Sequence, residues 1–320
     1  MDNGVERSGA KRPRENLAAC LYVGPAAVVL GLFCVFPVCY AFYVSLHRWG
    51  LSRQAYVGLA NYTRAFTDPE FGRAVLVTVY YVLGTVPVSL LLGLVIANLL
   101  AQRIRGRGVY RTIYFLPYVT SVVAAAAVWV WIFYPAEHGV ANTVMKAIGL
   151  PQQAWVEESR GVFGLVAEHW GIHVAPWAQG PSLALVCVMV FSVWSAVGFY
   201  VVVLLAALSN VPNEIYEAAA IDGATGWRRL RHITVPMISP TLFFLLIVAT
   251  IRAFRVFGHI YVLASKDTEQ TAHNVTMLVF RTFYESGETG YGSAIALILF
   301  GVILLVTLIQ MRVVGPRVHY

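Results

Sequence analysis

Charged residues are scarce in this chain of 320 residues, of which 12% are charged and 58% hydrophobic. A soluble domain averages about 25% charged residues, so the composition excludes an ordinary water-soluble fold. Apolar runs of about 20 residues, the length needed to cross a bilayer, recur along the sequence. The composition therefore predicts an all-α integral membrane protein that crosses the bilayer several times.

Acidic residues are missing from the apolar runs, because all 16 Asp and Glu lie in the segments between them. Proton-coupled carriers place Asp or Glu inside the bilayer as relays. The absence argues against proton coupling but leaves an ion-coupled secondary transporter that uses sodium as an alternative. It also disfavours a membrane-embedded enzyme, which would need His, Asp or Glu clustered at one depth.

Two sequence motifs are also absent. The Gly-x-x-x-x-Gly-Lys-Ser/Thr phosphate cradle is not found, so we expect no ATPase activity, no catalytic residue and no cofactor bound by this chain. The four cysteines form no Cys-x-x-Cys pair, so they indicate neither a zinc site nor a disulfide framework. The formal net charge of +7 is spread over loop ends, which is typical of membrane proteins and predicts no nucleic-acid partner.

Six apolar runs predict six transmembrane helices in one domain, residues 17–320, after a basic tail, residues 1–16. The runs lie at about 17–46, 74–100, 112–134, 183–209, 238–262 and 293–313. The first run is about twice too long for a signal peptide, so we interpret it as a retained span.

The distribution of Lys and Arg predicts the orientation. With the N-terminus inside, the inner segments carry 13 Lys and Arg in about 66 residues, and the outer segments carry 8 in about 105. Positive residues concentrate on the cytoplasmic side of membrane proteins. Both termini and the loop 210–237 are therefore predicted to be cytoplasmic, and the long loop 135–182 is predicted to lie outside.

The loop 210–237 is a polar segment between two apolar runs. Asn213 is predicted to cap a short helix, which Asp222 and Gly223 end in a tight turn because Gly adopts left-handed backbone readily. A second short helix is predicted from about Thr225 until Pro236 stops it. The loop is thus expected to be a helix-turn-helix at the membrane surface.

In this loop, Glu217, Ala218, Ala219, Gly223, Ile233 and Pro236 stand at a fixed spacing. At these positions the loop resembles the signature cytoplasmic loop of binding-protein-dependent ABC importer permeases, with Val235 where the family usually has Leu. Other segments resemble the carbohydrate-uptake branch, of the maltose and glycerol-phosphate type: 37–49, 58–62, 68–71, 106–108, 111, 115–117 and 317–320. Residues 155–180 look like an insertion to which nothing is carried over.

The resemblance implies a type I importer fold and a set of partners. The ATPase-coupling residues would be Glu217, Ala218, Ala219, Asp222, Gly223, Ile233 and Pro236. They would dock on a separate ATP-binding cassette dimer, which binds ATP and Mg. A second permease subunit, forming a heterodimer, and an extracytoplasmic solute-binding protein are also implied. The solute would be a sugar or sugar-like compound, with disaccharide, oligosaccharide, polyol and glycerol phosphate all left open.

Five residues are candidates for a substrate pathway inside the bilayer. Arg252 and Arg255, three apart in the fifth run, share a helix face. They line a watery cavity and contact the solute, or else Arg255 snorkels to the outer interface and Arg252 pairs with a neighbouring helix. Trp194, Ser195 and Tyr200 of the fourth run could stack on sugar rings or bond their hydroxyls; helix packing is the alternative.

The outer loop 135–182 offers weaker signals. Val140, Val144 and Ile148 recur every four residues and predict an amphipathic helix along the membrane surface. Trp155, Trp170 and Trp177 are predicted to lie at the level of the lipid headgroups, where tryptophan is enriched. His169 and His173 are four apart, but Gly171 between them weakens a helix, so we expect interfacial histidines and no metal site.

Overall fold

The computed structural model describes residues 12–50, 53–102, 105–135, 139–172, 174–175, 178–264 and 269–318. The elements in chain order are α1 (Arg12–Leu30), a π-helical turn (Gly31–Val35), α2 (Phe36–Ser45), β1 (His47–Trp49), β2 (Arg53–Tyr56), α3 (Ala60–Thr67), α4 (Pro69–Ala101), α5 (Arg107–Val119), α6 (Val122–Ile132), α7 (Val140–Ala147), α8 (Val162–His169), α9 (Leu183–Ser209), α10 (Asn213–Ile221), α11 (Gly226–Arg229), a second π-helical turn (Leu230–Thr234), α12 (Val235–Met237), α13 (Ser239–Phe254), α14 (Gly258–Leu263), α15 (Glu269–Ala272), α16 (Val275–Tyr284) and α17 (Thr289–Val313).

Within the described residues, four helical segments are long and apolar enough to cross a bilayer unbroken: Leu21–Ser45, Pro69–Ala101, Leu183–Ser209 and Thr289–Val313. Two bent pairs complete the six predicted spans if each pair is one span. The predicted all-α architecture is confirmed, but the third and fifth runs are not straight helices. The third run bends by 97° between α5 and α6. A bend of 77° between α12 and α13 falls at Ile238, where the fifth run begins, and α13 ends at Phe254, before the end of that run.

Both π-helical turns come just before a proline. Pro37 lies in the first turn of α2, and Pro236 lies in the first turn of α12. Proline has no N–H to donate to the preceding turn, so the helix widens there and continues. The expectation that Pro236 stops the second helix of the loop 210–237 was therefore wrong, because helical backbone runs on to Met237 and bends at Ile238.

Helices α4 and α9 form the centre of the bundle and run parallel. Small residues on α4 let the two backbones approach: a Cβ at Gly93 would lie 2.8 Å from Tyr200 Cβ. On another side of α9, helix α5 crosses at Gly198, where a Cβ would lie 2.8 Å from the Tyr114 carbonyl carbon. The interior of this bundle is apolar and includes Leu185, Phe191, Leu204 and Leu245.

The described parts of segments 47–73 and 263–292, which sequence patterns left as connections, form a folded cap where α4 and α17 begin. The antiparallel strands β1 and β2 and helix α3 pack there together with α16. Thr289 Oγ1 donates to the Trp49 carbonyl at 2.8 Å, and Tyr291 Oη donates to Asp68 Oδ2 at 2.7 Å. An Arg64–Glu288 ion pair at 2.7 Å joins α3 to the start of α17.

The loop 135–182 contains the predicted helix α7, on which Val140 and Val144 are exposed, and Ile148, just after its end, is exposed too. Whether that face lies on a membrane stays a prediction. Trp155 differs from expectation, because its indole Nε1 donates to the buried Asn142 Oδ1 at 2.7 Å and packs near Phe133.

Further along this loop, Trp170 is exposed as expected. Helix α8 ends at His169, while His173 and Trp177 lie outside the described residues. In the same loop, hydrogen bonds from Arg160 hold the pKa of the Glu158 carboxyl below its usual value.

Candidate functional site

A cavity of about 410 Å³ lies midway along α4 and α9, where the end of α13 and the start of α14 meet them. Its lining residues come from five helices and from the turn between α13 and α14: Tyr81, Thr85, Val86, Ser89, Val122, Ser192, Ser195, Ala196, Tyr200, Ala249, Arg252, Ala253, Arg255, Val256, Phe257, Gly258 and His259. Four of the five residues proposed for a substrate pathway are among them.

The two arginines lie where α13 ends. Arg252 is in its last turn and Arg255 is the residue after it, with near-bridge backbone angles, so the fifth run is not one helix to residue 262 as predicted. The Arg252 guanidinium lies over the rings of Tyr118 and Phe199, 5.2 and 5.8 Å from their centroids. Its Nη1 atom is 3.4 Å from the Tyr118 hydroxyl, which is a long hydrogen bond.

Ser195 and Tyr200 line the cavity, but Trp194 does not. The Trp194 ring packs 5.3 Å from Trp129 and 5.8 Å from Phe191, centroid to centroid. Its geometry is that of helix packing, the alternative that the sequence left open. Its assignment to a substrate pathway has no support from its position in the single chain.

A hydrogen-bonded cluster that sequence reasoning missed forms one wall of the cavity. Tyr81 Oη donates to Ser192 Oγ at 2.8 Å, and Ser192 Oγ donates to the Val188 carbonyl at 2.6 Å. His259 Nε2 lies 2.9 Å from the first hydroxyl and 2.8 Å from the second. Since both hydroxyl hydrogens are committed elsewhere, Nε2 carries the hydrogen and donates to the hydroxyl oxygens. The cluster ties α4, α9 and α14 together.

Helix α10 forms the predicted coupling loop at the other end of α9. It begins at Asn213 with Pro212 as its cap residue, one position earlier than the predicted cap. Gly223 has φ +74°, its N–H donates to the Ala220 carbonyl, and the Ala224 N–H donates to the Ala219 carbonyl. These two bonds make a complete Schellman motif, which confirms the predicted helix end at Asp222 and Gly223.

The signature residues of this loop are mostly on its surface. Glu217, Ala218, Asp222 and Gly223 are exposed, whereas Ala219 is buried. Ile233 and Pro236 are half-buried in the helical stretch that follows. No group of metal-ligating side chains occurs in the part of the chain that the structure describes.

Two apolar side chains beside the signature residues were overlooked. Ile221 is 88% exposed and Trp227 is 70% exposed, on either side of the turn at Gly223. The signal was available in the sequence, since large apolar residues in an otherwise polar loop suggest contact with another protein. The cluster at Tyr81 had no such signal, because its members are far apart in the chain.

The chain matches the family described as the binding-protein-dependent transport system inner membrane component over residues 89–320. It belongs to this family. It is 31% identical to the trehalose/maltose transport system permease protein MalF of Thermococcus litoralis over 98% of both chains. It is 29% identical to the sn-glycerol-3-phosphate transport system permease protein UgpA of Agrobacterium fabrum, covering 94% of this chain and 95% of that one.

Solved structures show the same fold. A chain of a bacterial alginate ABC transporter, in complex with an alginate pentasaccharide-bound periplasmic protein, superposes with a TM-score of 0.74 over 96% of both chains at 22% identity. Family and fold together make this permease a multi-pass membrane transporter of the ABC importer type rather than an enzyme. The alternative, an ion-coupled secondary transporter, is not favoured.

Proposed function

We propose that this permease imports a sugar or sugar-like solute by alternating access, driven by a separate ATPase through the loop at 217–223. The observation that carries the proposal is the exposed, rigidly capped helix α10, which joins two walls of the cavity. Relatives named for trehalose and maltose and for sn-glycerol-3-phosphate support this solute class.

The loop has a direct mechanical connection to the cavity on both sides. Helix α9, which precedes it, carries Ser195 and Tyr200 in the cavity wall. The helical stretch after it bends at the buried Ile238 and continues as α13 to Arg252. At 1.5 Å per residue, α13 spans roughly 24 Å. A push on α10 therefore moves two cavity walls, with the bend at Ile238 as the pivot, and opens the cavity to one side or the other.

The exposed face of α10 has the composition of a docking surface. Ile221 at the end of α10 supplies apolar contact area, as does Trp227 on the neighbouring helix α11, and Glu217 supplies a charge. The docked partner is an ATP-binding cassette dimer that binds ATP and Mg, while this chain binds no cofactor. ATP-driven closure of the dimer supplies the push.

A second permease subunit completes the pathway as a heterodimer. Arg252 and Arg255 are exposed in the single chain although they line a cavity midway along the bundle. A cation facing hydrocarbon costs about 2.5–3.5 kcal/mol on insertion scales. The side of the bundle on which the two arginines are exposed must therefore face protein or water and not lipid. A solute-binding protein delivers the solute at the cap formed by β1, β2, α3 and α16.

The location follows from the charge distribution. The permease domain, residues 17–320, lies in the lipid of the cytoplasmic membrane, and the basic tail, residues 1–16, and the C-terminus face the cytoplasm. A cysteine introduced at Glu217 in a cysteine-free chain should react with an impermeant maleimide only after cell lysis. One introduced at Lys146 should react in intact cells, and the reverse pattern would refute this orientation.

The function is tested by reconstitution. The complete transporter in proteoliposomes, with ATP in the compartment that faces α10 and solute-loaded binding protein on the other side, should accumulate sugar. The chain alone under a sodium or proton gradient should accumulate none. Uptake by the single chain under an ion gradient, without ATP, would contradict the proposal.

A further inference from the structure

The central cavity is positively charged. Two guanidinium groups, those of Arg252 and Arg255, line it, and none of the described residues around it is Asp or Glu. Within the described part of the chain, neither arginine has a carboxylate at ion-pair distance. The charge is therefore not balanced by this subunit.

The surroundings of Arg252 orient the guanidinium without neutralising it. The rings of Tyr118 and Phe199 lie against it and stack on each other at 5.1 Å. Aromatic faces attract a cation, yet they leave the in-plane N–H donors available, apart from the long contact of Nη1 with the Tyr118 hydroxyl. Because the ring contacts restrain the guanidinium plane, the donors are preorganised for a planar or tetrahedral oxyanion.

Most other hydroxyl hydrogens in the cavity wall are already donated within the protein. Those of Tyr81 and Ser192 belong to the cluster described above. Thr85 Oγ1 donates to the Tyr81 carbonyl at 2.7 Å, and Ser195 Oγ donates to the Ser192 carbonyl at 3.1 Å. The strongest donors left for a solute are thus the two guanidiniums, which suits an acceptor-only group.

We propose that the solute is an anionic sugar derivative, carrying a carboxylate, phosphate or sulfonate, and that Arg252 and Arg255 bind this group in the cavity. The proposal rests on the proposed function and narrows its solute class. The hydroxyl oxygens of Ser195 and Tyr200, which line the cavity, accept hydrogen bonds from the sugar hydroxyls. Arg252 and Arg255 are then the residues that determine specificity for charge.

The test uses the complete transporter in proteoliposomes with ATP, supplied with an equimolar mixture of neutral and charged probes. The neutral probes are glucose, trehalose and glycerol. The charged probes are glucuronate, a uronate disaccharide, glucose 6-phosphate, sn-glycerol 3-phosphate and 6-deoxy-6-sulfoglucose. Mass spectrometry of the lumen identifies what is imported. Preferential accumulation of charged probes is expected, and the group carried by the imported probe distinguishes carboxylate, phosphate and sulfonate.

Substitutions then test which residues bind the anionic group of the solute. Arg252→Gln and Arg255→Gln should each lower import of the charged probe about 10- to 100-fold, and Arg252→Lys should retain part of it because it keeps the charge. Arg312→Gln, at the far end of α17, is the matched control and should import normally. ATP hydrolysis without solute should be the same for Arg312→Gln as for the unmodified transporter.

One outcome would contradict the anionic solute alone, and a second would contradict ATP-driven import as well. Import of neutral probes in preference to charged ones, unaffected by the Gln variants, would remove the anionic solute while leaving the importer intact. Absence of any ATP-dependent accumulation by an assembled transporter that hydrolyses ATP would contradict the proposed function itself.

Discussion

The predicted coupling loop and the central cavity of this permease are stabilised in opposite ways. In the loop, helix α10 is closed by hydrogen bonds between residues at most five apart, as in the Ala224 to Ala219 bond. In the cavity, the Tyr81–His259 hydrogen bond joins residues 178 positions apart. A change in the loop should therefore affect transport and leave stability unchanged, whereas a change in the cavity wall should lower stability as well.

The largest effect on transport is expected from Gly223→Pro. Proline fixes φ near −65°, but Gly223 has φ +74°, and proline also lacks the N–H that bonds to the Ala220 carbonyl. The turn must therefore rebuild, which tilts α10 away from the orientation in which it would dock on the proposed ATPase. We expect normal membrane levels and an unchanged melting temperature, with ATP-driven uptake reduced more than 10-fold.

The control at the same position is Gly223→Asn. Asn tolerates left-handed backbone, and no atom lies within 4 Å of a Cβ built at this position. This variant should keep most uptake. Full uptake by the proline variant would show that the shape of this turn does not matter for coupling.

A larger effect on stability is expected from Gly198→Ala, on α9 where helix α5 crosses it. The new methyl group would overlap the Tyr114 carbonyl and lie 3.0 Å from Phe115 Cα, and backbone atoms cannot rotate away. Overpacking of this kind costs about 1–3 kcal/mol. Helix α5 should be displaced, and the melting temperature of the purified permease should fall by several degrees.

Gly301→Ala in α17 is the matched control. Nothing lies within 4 Å of a Cβ there, so the substitution should gain helix propensity of up to about 1 kcal/mol without a clash. Equal melting temperatures for the two alanine variants would mean that α5 does not cross α9 tightly at Gly198.

The difference between local and long-range interactions also decides which features could be predicted from the sequence. The turn at Asp222 and Gly223 was predicted correctly because a helix end is encoded by adjacent residues. The six apolar runs were predicted for the same reason, since hydrophobic length is a local property. Arg252 and Arg255 were recognised as unusual because charge inside an apolar run is visible without a structure.

Features that depend on packing between distant segments were missed. The 97° bend of the third run lies at Thr120 and Ser121, although the proline in this segment, Pro117, sits inside the straight helix α5. The strands β1 and β2 are too short to show a periodic pattern. The cluster of Tyr81, Ser192 and His259 draws one residue from each of three helices, and no sequence pattern connects them.

The smallest effect is expected from Tyr81→Phe, which removes one hydroxyl from this cluster and keeps the shape of the ring. Tyr81 is 3% exposed, so its hydrogen bonds to Ser192 and from His259 are not replaced by bulk water, although His259 and Ser192 keep each other as partners. The loss of these two buried bonds predicts destabilisation of about 1–2 kcal/mol, measured as the melting temperature in detergent. Tyr80→Phe, on the same helix but outside the cavity lining, should melt like the unmodified permease. If both variants melt alike, the hydrogen bonds across α4, α9 and α14 contribute nothing, and the cavity is held together by apolar packing alone.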